Sequence, residues 1–285
     1  MFGLDNLVNA FQKDRISVDA KAVVTGAGSG IGRAFAVELA RRGGQVVCAD
    51  IDLDRATETV ELIDQLPTGT GHAVACDVSN RRAVERLAAR AAKVFAGPPT
   101  LVINNAGVGI GGKTVGAIGF DDWNWALGIN LWGVVHGCEV FTPILREARH
   151  GGIINVASAA GFAAAPTMGP YNVSKAGVMS LSETLAAELT GTGISVTVLC
   201  PTFVKTNVAR DGRITPDSSN FAQQMMRWTG LSPERVAART LDAHDAGRLY
   251  VVPQLDANVI WHLKRHFPTM YARGLGLMGR LLPGE

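Results

Sequence analysis

The sequence predicts an α/β fold: one doubly wound parallel sheet of about seven strands, with helices packed on both faces. Two observations carry this. Short β-branched runs alternate with longer helical patterns, as chained βαβ units require. The 285 residues, 47% of them hydrophobic, suit one large core better than two domains and exclude disorder as the main state.

The elements follow in order. Lys21–Thr25 reads as a strand, 31–42 as a helix closed by Gly43 and Gly44, Gln45–Asp50 as a strand and 53–66 as a helix. A strand over 72–76 and a helix over 80–95 lead to strand Leu101–Asn104. One long helix is then expected over 122–149, a strand over 153–157, and a helix over 171–190. Strand Ile194–Leu199, a helix over 233–246 and a strand over 249–252 finish the series. Right-handed crossovers place the strand carboxyl ends on one edge, where ligands bind. Residues 1–17 read as an N-terminal extension, 18–252 as the main domain and 253–285 as an amphipathic tail. The stretch at about 203–231 is polar and turn-rich yet holds Phe221, Met225, Met226 and Trp228, and is expected to form a mobile lid.

Composition removes several classes of function. Lys plus Arg number 27 against 25 Asp plus Glu, a net charge of +2 with no basic block, so no nucleic acid partner is expected. Cys48, Cys76, Cys138 and Cys200 are scattered without a C-x-x-C pair, which suits free thiols in a reducing cytoplasm. No signal peptide is read in Met1 to Asn6, which lacks a basic start and an apolar stretch. Residues 151–174 carry no charge, but Asn155, Ser158, Pro166, Pro170 and Asn172 mark protein interior rather than bilayer. No metal site is expected. His262 and His266 stand four apart, but beside Lys264 and Arg265 they read as a surface helix. The tail's mixture of aromatic and basic residues could rest on a membrane surface. Pro268, Gly274, Gly276 and Gly279 are expected to break a continuous helix there, favouring packing on the domain itself or on a neighbouring subunit.

The first strand runs into Thr25-Gly26-Ala27-Gly28-Ser29-Gly30-Ile31-Gly32 and then a helix. Such a turn lets backbone approach a pyrophosphate, and the helix N-terminus offers N–H groups and a positive dipole. The pattern is T-G-x-x-x-G-x-G, on Gly26, Gly30 and Gly32, rather than the strict G-x-G-x-x-G. Asp50 ends the next strand 18 residues after Gly32, where an acid can accept both ribose hydroxyls. Its neighbours Ser29 and Ile51 add no positive charge, and Arg33 and Arg55 are expected on helix surfaces. NAD is therefore favoured over NADP.

Tyr171 and Lys175 lie four apart at the start of a helix, on one face, where an ammonium can lower a phenol pKa and make it a usable acid or base. Ser158 follows a strand end nearby and could hold a carbonyl oxygen beside that phenol. With Asp77-Val78, Asn104-Asn105-Ala106-Gly107, Asn130, Pro201 and Thr206 in order on the expected elements, the chain resembles the short-chain dehydrogenase/reductases over roughly 18–252. The resemblance implies a Rossmann-like catalytic domain and a small-molecule substrate. It implies Tyr171 as proton carrier, Lys175 as its activator and nicotinamide-ribose ligand, Ser158 as the substrate-orienting hydroxyl and Asn130 as anchor of a water relay. Asp77 and Val78 would meet adenine, Asn104 the adenosine ribose, and Val204 with Thr206 the nicotinamide amide, with Ala106, Gly107 and Pro201 also at the cofactor. One departure is visible: Thr202 stands where the family usually has glycine, and a β-branched residue resists positive φ, so a differently shaped loop is expected.

The implied activity is NAD-linked alcohol dehydrogenation or ketone reduction. The apolar character of Ala159, Phe162, Met168, Phe203, Met225, Met226 and Trp228 suggests a hydrophobic substrate. A non-catalytic dinucleotide-binding regulator is the alternative, but binding alone needs no acid–base phenol. A sugar-nucleotide epimerase would space its loop T-G-x-x-G-x-x-G. A homodimer or homotetramer is expected; the resemblance implies that the helices carrying Asn130 and Lys175 pack across the subunit contact, with Trp123, Trp125 and Trp132 in the core or that contact.

Overall fold

The computed structural model describes residues 15–206 and 212–281. Most of the expected N-terminal extension (1–14), the lid residues 207–211 and the last four residues of the tail lie outside the described residues.

Strands β1 (Lys21–Thr25), β2 (Gln45–Asp50), β3 (Thr70–Ala75), β4 (Leu101–Asn104), the two-residue β5 (Ile110–Gly111), β6 (Gly151–Val156), β7 (Ile194–Leu199), the two-residue β8 (Arg213–Ile214) and β9 (Tyr250–Val251) follow in chain order. Seven of them form one parallel sheet in the order β3-β2-β1-β4-β6-β7-β9. The order reverses between β1 and β4, so a crevice opens at the carboxyl ends of those two strands. β4 and β6 are buried throughout, which is why they read as apolar runs rather than alternating patterns.

The helices are α1 (Gly30–Arg41), α2 (Leu53–Asp64), α3 (Arg81–Val94), α4 (Phe120–Leu127), α5 (Gly133–Ala148), the one-turn α6 (Ala160–Ala163), α7 (Gly169–Glu188), α8 (Pro216–Thr229), α9 (Pro233–Asp245), α10 (Leu255–His266) and α11 (Pro268–Leu281). One apolar layer joins the sheet to α3, α5 and α7, and the other joins it to α1, Ile63 of α2 and α9. Asp52 and Asn80 cap α2 and α3 by accepting from first-turn amides, which fixes where those helices begin.

Three expectations are corrected. The single helix over 122–149 is interrupted by a π-helical turn, Gly128–Trp132, between α4 and α5. The turn-rich lid contains a fourteen-residue helix, α8, whose Pro216 sits at the first helical position, where its fixed φ and missing N–H cost nothing. The tail glycines do not break a helix: Pro268 ends α10 and opens α11, and Gly274, Gly276 and Gly279 all lie within α11. Glycine costs about 1 kcal/mol in a helix interior, a penalty rather than a stop. Trp132 is more than half exposed in the single chain, and Trp123 and Trp125 are half-buried, so none of the three belongs to the core.

Among the described residues no helix is long and apolar enough to cross a membrane. The four cysteines are free and buried. Burial pushes Cys48, Cys138 and Cys200 up to about 12 and Cys76 to about 11, so their thiolates are suppressed.

Candidate active site

The crevice at the switch point is a cleft of about 360 Å³. It is built mainly from loops at the carboxyl ends of six strands, β1, β2, β3, β4, β6 and β7. Between β1 and α1 the glycine-rich turn holds Gly26 and Gly30 at φ of +64° and +54°. Gly32 is needed for a different reason. A Cβ there would lie 2.0 Å from the Gly26 carbonyl oxygen and 2.4 Å from the Asn105 amide, so it sets how closely α1 approaches the strand edge. Ser29 is the N-cap residue of α1, yet its side chain caps nothing, and Ser29, Gly30 and Ile31 all line the cleft. The positive end of a helix therefore faces the crevice, ready for an anion.

At one end of the cleft sits Asp50. Its Oδ2 accepts from Gly28 N at 2.8 Å and its Oδ1 from Asp52 N at 3.0 Å, which fixes the carboxylate plane while lone pairs remain. Arg33 does not reach into this end as a counter-charge. Its guanidinium donates to the Gly28 carbonyl, to Thr59 Oγ1 at 3.0 Å and to Glu58 at 2.8 Å. Arg55 does line the cleft, contrary to its expected place on an outer helix surface, and ion-pairs with Asp52 at 3.4 Å.

Behind the glycine turn, the segment after β4 is stapled to β1. Asn105 Nδ2 donates to the carbonyls of Thr25 (2.8 Å) and Gly26 (3.2 Å), and Thr25 Oγ1 accepts from the amides of Asn105 and Ala106. Asn105, Ala106 and Gly107 line the cleft. The side chain of Asn104 does not: it is buried, donates to Asn155 Oδ1 at 2.9 Å, and packs against Gly137 of α5. Strand alternation explains the difference, because neighbouring residues point to opposite sides. Asn105, which the same motif contains, lines the cleft in place of Asn104, and Arg55, Val108 and Ile129 line it from outside the expected set.

At the other end, Ser158, Tyr171 and Lys175 line the same cleft. Lys175 is 3% exposed; its Nζ donates to the Val156 carbonyl at 2.9 Å and stands 5.8 Å from the centre of the Tyr171 ring. Desolvation lowers the Lys175 ammonium to about 8. The Tyr171 phenol moves the other way from the expected lowering: burial raises it above its ordinary 10, and hydrogen bonding with Ser158 offsets part of that rise. Ser158 Oγ donates to the Pro201 carbonyl at 3.3 Å and accepts from Ala160 N at 3.2 Å, which places it at the mouth of the β6 turn.

Asn130 sits in the π turn and is fully buried. Its Oδ1 accepts from Val108 N at 2.7 Å and its Nδ2 donates to the Val108 carbonyl at 2.9 Å, so it clamps the chain just past Gly107. A Cβ on Gly107 would lie 3.1 Å from Asn130 Oδ1 and 3.4 Å from Lys175 Nζ, which puts both groups behind that glycine. π turns recur at functional sites because the extra residue re-aims one side chain.

Of the other expected residues, Gly26, Ile51, Asp77, Val78, Pro201, Val204 and Thr206 line the cleft, and Gly32, Asn104 and Asn130 stand behind it. Thr202 lines it too, without a positive φ, and Val204 and Thr206 still face the cleft beyond it. Of the lid residues described, Met226 reaches the cleft, whereas Trp228 is solvent-exposed. The open helix end, the ribose-height carboxylate and the phenol–ammonium pair at the far end together fit a nicotinamide dinucleotide.

The comparisons agree with this architecture. The short chain dehydrogenase family profile matches residues 20–216. The C alpha-dehydrogenase of Sphingobium sp. strain SYK-6 is 30% identical over 264 residues, covering 88% of this chain and 85% of that protein. The (3R)-3-hydroxyacyl-CoA dehydrogenase of Canis lupus familiaris is 36% identical over 194 residues, covering 66% of this chain and 74% of that one. A short-chain dehydrogenase/reductase from Burkholderia phymatum, solved in complex with NAD, superposes with a TM-score of 0.81 at 35% identity, over 87% of this chain and 94% of that one. The chain belongs to the short-chain dehydrogenase/reductase family. It is an NAD(P)-dependent oxidoreductase acting on CH–OH groups.

Proposed function

We propose that the chain interconverts a secondary alcohol and a ketone, uses NAD in preference to NADP, and takes a hydrophobic substrate. The observation that carries this reading is that Ser158, Tyr171 and Lys175 share one cleft with the glycine turn and Asp50. When bound, the nicotinamide supplies the hydride in reduction and receives it in oxidation. The Tyr171 hydroxyl gives its proton to the substrate oxygen in reduction and takes it back in oxidation. Ser158 holds that oxygen through its hydroxyl, and the Lys175 ammonium favours the phenolate that the proton leaves behind. Asn130 holds the Val108 turn behind Lys175 and anchors the water path by which the proton reaches solvent.

The NAD preference rests on Asp50, which would meet a 2′-phosphate with like charge. Arg33 is committed elsewhere, and Arg55 faces Asp52. The hydrophobic substrate rests on Met226, Val108 and Ile129 in the cleft wall. Assembly as a homodimer or homotetramer through α5 and α7 rests on Trp132, at the end of the π turn that leads into α5, and Val173 of α7, both exposed in the single chain. A panel of secondary alcohols with NAD, followed at the nicotinamide absorbance, tests the reading. Oxidation of one or more supports it, and a panel that binds NAD but oxidises nothing would favour a regulatory dinucleotide binder.

A further inference from the structure

Thr202, which stands in the position of a family glycine, is tied to the C-terminal helices. Its amide donates to Gln254 Oε1 at 3.2 Å, and its Oγ1 donates to Asp256 Oδ1 at 3.2 Å. Gln254 Nε2 donates in turn to the Phe203 carbonyl at 2.9 Å. Gln254 is the N-cap residue of α10 and is 7% exposed, yet its side chain caps nothing in its own helix. A buried amide at a helix start ordinarily serves that helix; this one spends its acceptor and its donor on the loop after β7. That loop presents Thr202, Val204 and Thr206 to the cleft. The same helix pair braces the segment following Ser158, since Trp261 packs edge-on against Phe162 at 4.9 Å and the Tyr271 hydroxyl donates to the Ala163 carbonyl at 2.9 Å.

We propose that Gln254 is a positioning residue for the cofactor loop, with Thr202 and Asp256 completing a clasp through which the C-terminal helices set the affinity for the dinucleotide. This rests on the cofactor reading above. Without the clasp the loop keeps its sequence but loses the three hydrogen bonds that hold Thr202 and Phe203, so ordering it falls to the cofactor, and affinity drops.

Direct titration of NAD, with NADP in parallel, into the purified full chain tests this in Gln254→Ala, Thr202→Val and Thr202→Ser, with Leu255→Ala on the exposed side of α10 as control. Gln254→Ala is expected to weaken NAD binding about threefold to tenfold, as one or two net hydrogen bonds imply. Thr202→Val, of nearly the same size but without the hydroxyl, is expected to weaken it about threefold, and Thr202→Ser to recover most of that loss. In turnover the loss falls on KM for NAD more than on kcat. The melting temperature of each variant without cofactor separates this from a general loss of fold, and Thr202→Val serves should Gln254→Ala not fold. Unchanged affinity in folded Gln254→Ala and Thr202→Val, with the parent chain binding normally, overturns the clasp. A parent chain that binds neither dinucleotide overturns the cofactor reading, and the clasp with it.

Discussion

Burying the Lys175 ammonium carries a cost to the fold, and the cost can be read from the structure. Its ammonium is buried with one hydrogen bond, to the Val156 carbonyl, and desolvation brings its pKa from 10.5 to about 8. At about 1.4 kcal/mol per pH unit, holding the charge in that place costs about 3 kcal/mol at neutral pH. Because the folded value lies below the unfolded one, this destabilisation is complete below pH 8 and disappears as the pH rises through 10.5. Lys175→Met keeps the stem and removes the charge. It also leaves the Val156 carbonyl unpaired, which costs about 1–3 kcal/mol at any pH. The net gain at pH 7 is thus about 0–2 kcal/mol, with turnover expected to fall. The discriminating quantity is the stability difference between the two chains. Between pH 7 and 9.5 it should shift toward the parent by about 2 kcal/mol, measured by urea unfolding at one fixed protein concentration. A difference that stays constant with pH would show that Lys175 is not held charged against burial, and the reasoning would fail.

Three further outcomes are expected. NAD should bind at least about tenfold tighter than NADP, a margin of about 1.4 kcal/mol, and Asp50→Ser should narrow that gap; equal affinities in the parent chain would remove Asp50 from its role. Gly32→Ala should destabilise the chain by about 3 kcal/mol, the upper range for overpacking, because its Cβ would meet a backbone carbonyl at 2.0 Å; an unchanged melting temperature would contradict the packing described. Light scattering at micromolar concentration should show a dimer or tetramer, and a monomer of 30.0 kDa would refute assembly through α5 and α7.

The sheet was legible because β-branched runs buried on both faces have few other structures open to them, and its strands fall where the pattern put them. The glycine turn, Asp50, Ser158, Tyr171 and Lys175 were legible because each occupies a strand end or a first helical turn, and strand ends converge on one edge. The misses have physical causes as well. The π turn at Asn130 leaves no mark on composition, since it is one extra residue accommodated by tertiary contacts to Val108. Side-chain direction after β4 depends on where the strand stops, and that decides between Asn104 and Asn105. Helix α8 begins at a proline in a polar, turn-rich stretch and buries none of its residues in the core. The Tyr171 shift was expected downward from its charged neighbour, but sequence spacing carries no information about desolvation, which dominates it. The Thr202 contacts join positions about fifty residues apart and could be seen only in three dimensions.

The central claim is that the Tyr171 phenol carries the proton, and replacing it by phenylalanine tests this most directly. Burial keeps the phenol protonated at neutral pH, so alcohol oxidation, which needs the phenolate, should rise with pH in the alkaline range while ketone reduction falls. Tyr171→Phe retains the ring and its packing and removes only the hydroxyl. On an alcohol that the parent chain oxidises, it should bind NAD nearly as well while turnover falls by about a hundredfold or more, with the pH dependence abolished. Near-full turnover in Tyr171→Phe would contradict the account.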